Sequence, residues 1–168
     1  RYMHYYSEAK SIIESGDLGD VLQITAHFSC GLSSNGSHLI DTIRYLAGDE
    51  VKWVFGEIES DEVAAGDIDP WGNGYLAFEN GARAFLRSMY NGETSIYQIH
   101  VICEKGQIVC DENPTRFELI TNGQDSPYGK SFHDGNPKLQ AAKPVTYQLN
   151  LPPYVEGTGI TVLNDLIE

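Results

Sequence analysis

Asn73-Gly74-Tyr75-Leu76-Ala77-Phe78-Glu79-Asn80-Gly81-Ala82-Arg83-Ala84-Phe85-Leu86-Arg87-Ser88-Met89-Tyr90 is the stretch that decides the fold. Two strand-like runs, 73–78 and 82–90, flank Glu79-Asn80-Gly81. Asn-Gly is a strong hairpin signal, because both residues tolerate the positive φ angles that tight antiparallel turns demand. In the second arm Arg83, Phe85, Arg87 and Met89 alternate with Ala84, Leu86, Ser88 and Tyr90, so the two sets point to opposite faces of a sheet.

The pattern continues downstream. Residues 94–103 and 107–111 form a second hairpin around Glu104-Lys105-Gly106, and 115–121 is a further strand ending at Asn122-Gly123. Residues 122–144 are rich in Gly and Pro and have little periodicity. So long a loop in a compact domain is usually functional or disordered. Residues 145–149 read as a short last strand, Pro152-Pro153 breaks it, and a helix starts near Gly157 and is cut off at Glu168.

Upstream, 51–58 is a strand and 61–71 an acidic, glycine-containing loop. Residues 21–30 alternate, with Leu22, Ile24, Ala26 and Phe28 on one side. Tyr6, Ala9, Ile12 and Ile13 are spaced as on a helix over 3–15, which Gly16 stops before the turn Asp17-Leu18-Gly19-Asp20. Helices set apart from a run of antiparallel strands predict an α+β fold: an open, mainly antiparallel sheet of about seven strands with helices packed on one face. Several strands carry apolar residues on both faces, as where Tyr75 and Ala77 oppose Leu76 and Phe78. Two or three helices cannot cover both, so the other face is expected to pack on something, most simply a second copy.

The 168 residues predict a single domain, 1–168. A net charge of −13 argues against nucleic-acid and anionic membrane partners. No apolar run approaches the ~18 residues of a membrane span. Cys30, Cys103 and Cys110 are odd in number and lack CxxC spacing, which fits a reduced, cytoplasmic protein with cysteines as small apolar filler. The start at Arg1 shows no export leader, and both ends suggest a piece of a longer chain.

Chemistry concentrates in Ser33-Ser34-Asn35-Gly36-Ser37-His38-Leu39-Ile40-Asp41-Thr42-Ile43-Arg44-Tyr45-Leu46. A polar, glycine-containing start leads into an amphipathic helix whose Leu39, Ile43 and Leu46 face a core. Asn35 and Ser37 are candidates to cap its free N–H groups. His38, Asp41 and Tyr45 share another flank, with the imidazole in the first turn. Imidazole can donate at one nitrogen and accept at the other, as moving a hydroxyl proton requires. Spacing alone makes a structural histidine the commoner outcome.

Other motifs fail. Gly157-Thr158-Gly159 is not a dinucleotide fingerprint, no serine lies in GxSxG, and the five histidines lack metal-ligand spacing. No cofactor-binding or metal residue is therefore assigned within the chain. The pairs Asp67/Asp69 and Asp111/Glu112 read as solvated charge. Trp71, Tyr90, Tyr97 and Tyr128 could offer a flat face to a sugar ring but read first as core or interface.

Several of these stretches together resemble one family. Arg1-Tyr2, Tyr6, Ala9-Lys10 and Ile13 to Val21 are similar to the region after the nucleotide-binding half of the Gfo/Idh/MocA oxidoreductases, the relatives of glucose–fructose oxidoreductase and inositol dehydrogenase. Gly36 to Asp41 with Arg44-Tyr45-Leu46 and Gly48 resembles that family's active-site helix, and Phe78 to Ala82 and Cys103 to Gly106 resemble its hairpin turns. The resemblance implies the C-terminal α+β domain, with an open sheet of the kind also found in dihydrodipicolinate reductase and glyceraldehyde-3-phosphate dehydrogenase. Its partner would be an N-terminal Rossmann domain holding NAD or NADP, with a catalytic lysine in a Glu-Lys-Pro motif. Neither that fingerprint nor that motif is in this sequence, so the chain alone is expected to bind no cofactor and to be inactive.

Carried over by position, His38 matches the family's proton-transfer histidine, and Asp41 a recurring helix aspartate with an orienting or structural role. Ser34 stands where the family usually has Asp, four residues before the histidine. Ser34, Asn35 and Asp41 are the expected substrate contacts. The resulting expectation is the substrate-binding and oligomerisation domain of an NAD(P)-dependent oxidoreductase acting on a sugar, polyol or related hydroxy compound, with 122–144 as a candidate lid. The alternative is a non-catalytic binding, sensor or dimerisation module of the same fold, which Ser34 in place of Asp favours.

Overall fold

The computed structural model describes residues 3–59, 69–89, 95–112, 115–121 and 145–148. The element order is α1 (His4–Glu14), β1 (Val21–Phe28), α2 (Asn35–Ala47), β2 (Val51–Ile58), β3 (Gly72–Phe78), β4 (Arg83–Ser88), β5 (Tyr97–Cys103), β6 (Gly106–Glu112), β7 (Thr115–Thr121) and β8 (Val145–Gln148). The expected loop over 122–144 and the helix after Gly157 lie outside the described residues.

The eight strands form one sheet in the order β2-β3-β4-β1-β5-β6-β7-β8. β2-β3-β4 and β5-β6-β7-β8 pair in chain order as antiparallel hairpins, as the Asn80-Gly81 and Lys105-Gly106 turns predict. Gly81 takes the positive φ of 95° that the first turn needs. The exception lies at the centre. β1 runs parallel to β4, pairing Thr25 with Phe85, and antiparallel to β5, pairing Thr25 with His100. Strand patterning carries no trace of which distant strands will flank β1, so this parallel join was not legible.

Alternation sorts each strand between a covered and an open face. Ile24, Ala26 and Phe28 are fully buried, with Ala84, Ile99, Val101, Ile108 and Cys110 beside them. Both helices cover this face: α2 packs over β1, α1 against β6 and against α2. Leu39, Ile43 and Leu46 of α2 are fully buried, as their spacing predicts. Each stabilises the fold by about 1.5–3 kcal/mol relative to exposure. Leu22 departs from the expected pattern and is half exposed, because the register shifts between Val21 and Gln23 and takes it out of the alternation. In α1 the buried residues are Tyr5, Tyr6 and Ala9, while Ile12 and Ile13 pack only partly.

The open face carries no described helix. Toward β2 it is aromatic: Trp53 stacks on Tyr75 at 5.2 Å and Tyr75 meets Phe85 edge-on at 4.8 Å. Phe55, 74% exposed, is paired with Tyr75 in the same row. The next row is polar, with the Arg87 guanidinium donating to Asn73 Oδ1 at 2.6 Å and Gln98 donating to Asp111 at 3.0 Å.

Candidate functional site

The connection from β1 to α2 is held at every step. Ser29 N–H donates to Ile96 O at 2.9 Å, and Ile96 N–H returns a bond to Ser29 Oγ at 2.8 Å. The fully buried Ser88 hydroxyl donates to Cys30 O. Leu32 N–H donates to Pro70 O at 2.8 Å, and Gly36 N–H to Gly31 O at 3.1 Å. Gly31 leaves room for the Asp69 carboxyl, since a Cβ there would lie 2.0 Å from Asp69 Cγ unless one of them shifted. The segment 69–71 is in turn tied to the end of β2, where Glu59 N–H donates to Trp71 O at 3.0 Å.

Asp69 closes the helix start. Its Oδ1 accepts Ser33 N–H at 2.6 Å and its Oδ2 accepts Ser34 N–H at 2.9 Å. Partial desolvation pushes this carboxyl up, but the bonds from Ser33 and Ser34 outweigh it and hold the group below the usual carboxylate range. A negative charge at a helix N-terminus also complements the helix dipole. This corrects two expectations. Asp69 is a bound cap rather than solvated charge, and the helix is not capped by Asn35 or Ser37. Asn35 is its first residue, the N-cap Ser34 makes no side-chain cap bond, and Ser37 Oγ donates to Ser34 O at 2.6 Å.

Ser33, Ser34, Asn35, Ser37 and His38 are all exposed, so hydroxyls, an amide and an imidazole gather at the solvent end of α2. Ser34 Oγ lies 3.3 Å from Cys30 Sγ. The His38 carbonyl accepts the Thr42 hydroxyl at 2.9 Å, which ties the first turn to the buried Thr42. Asp41 is half-buried one turn further on. The arrangement can hydrogen-bond a polyhydroxy compound and exchange a proton with one of its hydroxyls.

A dinucleotide does not fit this strand-to-helix turn. The Ser33 and Ser34 amides that could cradle a pyrophosphate already hold the Asp69 carboxylate, whose charge repels phosphate. Among the described residues no group of three or more His, Cys, Asp or Glu is placed to hold a metal ion. Nor is any described helix long and apolar enough to cross a membrane.

Two further features lie away from α2. A groove of about 470 Å³ on the open face is lined by Thr25, His27, Phe55, Tyr75, Phe85 and Arg87 among others. At the junction of α1 and β6, the Tyr5 and Tyr6 hydroxyls donate to Glu112 Oε1 at 2.7 and 3.2 Å. Glu112 thus ties helix to sheet, against the expectation of solvated charge. Of the aromatic candidates, Tyr97 packs edge-on at 6.5 Å against Phe28, and Trp71 is half-buried. Tyr90 and Tyr128 lie outside the described residues, as does Asp67.

Residues 30–109 match the model of the GFO/IDH/MocA C-terminal domain. No curated protein matches by sequence. Levoglucosan dehydrogenase in complex with NADH and levoglucosan is 15% identical with a TM-score of 0.65, covering 96% of this chain and 54% of that one. The WlbA dehydrogenase from Bordetella pertussis in complex with NADH and UDP-GlcNAcA is 18% identical with a TM-score of 0.55, covering 65% and 40%. A "probable dehydrogenase" from Thermotoga maritima is 23% identical with a TM-score of 0.56, covering 66% and 39%. At such identities the likeness establishes a shared fold, and the chain spans about half or less of these structures. The matched segment contains α2 and Asp69, and over it the chain is similar to a GFO/IDH/MocA C-terminal domain.

Proposed function

We propose that this chain is the substrate side of an NAD(P)-dependent oxidoreductase acting on a sugar, polyol or related hydroxy compound. The observation that carries the reading is the exposed His38 imidazole in the first turn of α2, among exposed hydroxyl and amide groups, inside the family segment. His38 takes the proton of the reacting hydroxyl. Ser34 and Asn35 hydrogen-bond neighbouring hydroxyls, and Asp41 orients the helix face. The nicotinamide, held by an N-terminal Rossmann domain of the full-length protein, would supply the hydride chemistry. The chain alone, whose sequence carries neither the Gly-rich fingerprint nor the Glu-Lys-Pro motif, is expected neither to bind it nor to turn over. The same reading gives the open sheet face to a second copy, since it presents Trp53, Phe55 and Phe85 to solvent.

The test is His38→Gln in the full-length protein, assayed with NAD and NADP against a panel of sugars and polyols. Turnover should fall by roughly 10²-fold, the usual contribution of a positioned acid–base group. An unchanged rate removes His38 from the chemistry. A protein whose upstream sequence lacks a Rossmann fingerprint and a Glu-Lys-Pro motif would instead be a binding module that keeps the fold without the reaction.

A further inference from the structure

We propose that Asp69 is the positioning residue of this site, the group that fixes where His38 stands, and this rests on the reading of His38 given above. Each Asp69 oxygen takes one of two consecutive amides, Ser33 and Ser34, immediately before the first helical residue. The two residues after Asp69 are themselves anchored. Pro70 O holds Leu32 N–H, and Trp71 O holds Glu59 N–H at the end of β2. Position 31 carries no side chain, which lets the carboxyl lie against the loop.

The clamp therefore joins two separate parts of the chain: the edge hairpin, and the loop after β1 where it runs into α2. The buried Leu39, Ile43 and Leu46 fix the body of the helix, whereas in its first turn Gly36 is buried and Asn35, Ser37 and His38 are exposed. The clamp on residues 33–34 and the bond from Ser37 Oγ to Ser34 O fix that turn, and His38 follows directly. The hydrogen bonds that hold Asp69 below the usual carboxylate range keep the clamp charged across neutral pH. Misplacing a catalytic group by about 1 Å can cost about 10²-fold in rate, so Asp69 matters to the reaction without touching substrate.

The experiment is a double-mutant cycle in the full-length protein with His38→Gln and Asp69→Ala, with Asp69→Glu as the conservative variant. Amide hydrogen exchange at residues 33–38 is measured alongside. We expect Asp69→Ala to lower kcat about tenfold or more, Asp69→Glu to recover most of it, and the double variant to be no slower than His38→Gln, because both changes act through one group. Exchange at Ser33 and Ser34 should accelerate in Asp69→Ala. Losses that multiply in the double variant, or Ser33 and Ser34 amides that exchange as slowly as in the parent, overturn the proposal. If His38→Gln alone costs nothing, the reading of His38 fails, and the exchange of these amides then decides the clamp by itself.

Discussion

Gly31 and Asp69 show how a single position can depend on another far away in sequence. A methyl group at 31 would overlap the Asp69 carboxyl carbon, so Gly31→Ala must displace either the loop or the clamp. We expect it to destabilise the domain by about 1–3 kcal/mol, the usual cost of overpacking a fixed contact, read as a lower urea midpoint. A variant as stable as the parent would show that the loop has room to move. The partnership was not legible in the sequence, where Asp69 belongs to an acidic loop and reads as solvated charge. A short polar side chain announces a local cap through its neighbours, whereas a carboxylate arriving from a distant segment leaves no local periodicity to read. The exposed place of His38 in the first turn of α2 was legible, because helical spacing and a polar first turn are both local properties.

The junction of α1 with β6 carries its own pH dependence. Tyr5, Tyr6 and Tyr97 are held well above the ordinary phenol range of 10.0, chiefly by burial, with the Glu112 charge adding to the shift in each. Below pH 10 the phenols are protonated in both folded and unfolded chains, and their contribution to stability is fully present. Above it the unfolded chain ionises first, so stability falls as pH rises. We expect the denaturant midpoint to drop steadily above about pH 10, and Glu112→Gln to reduce the slope, since it keeps a hydrogen-bond acceptor but removes the charge. A flat profile from pH 9 to 11 would falsify the buried junction. The amphipathic stripes of α1 and α2 and the two hairpins were legible because alternation and turn residues are short-range signals. The α1–β6 bond was not, because Tyr5 and Glu112 lie 107 residues apart in sequence.

Among the described residues, the decisive asymmetry is two helices on one side of an eight-stranded sheet and aromatic side chains open on the other. Phe55 and Phe85 are 74% and 42% exposed, so charging them leaves the described core untouched. We expect Phe55→Glu with Phe85→Glu to shift an oligomer to monomer in sedimentation while far-ultraviolet circular dichroism stays unchanged. A parent protein that sediments as a monomer at high concentration would remove the second copy from the open face. The sheet and its class were readable because each strand declares its own two faces. The order of the strands was not, since pairing partners are chosen by the assembled core.

That strand order bears on how the chain comes to be folded. β1 is the first of the described strands in chain order, yet it lies in the middle of the sheet, and both of its neighbours, β4 and β5, follow it by way of α2 and the β2–β3 hairpin. Its apolar row of Ile24, Ala26 and Phe28 must wait for lateral partners while the hairpins close locally. Such non-local closure slows folding relative to contacts between sequence neighbours. During synthesis on the ribosome the opening third of the domain therefore emerges with a core strand unpaired, the state in which edge-to-edge aggregation and chaperone capture compete with folding.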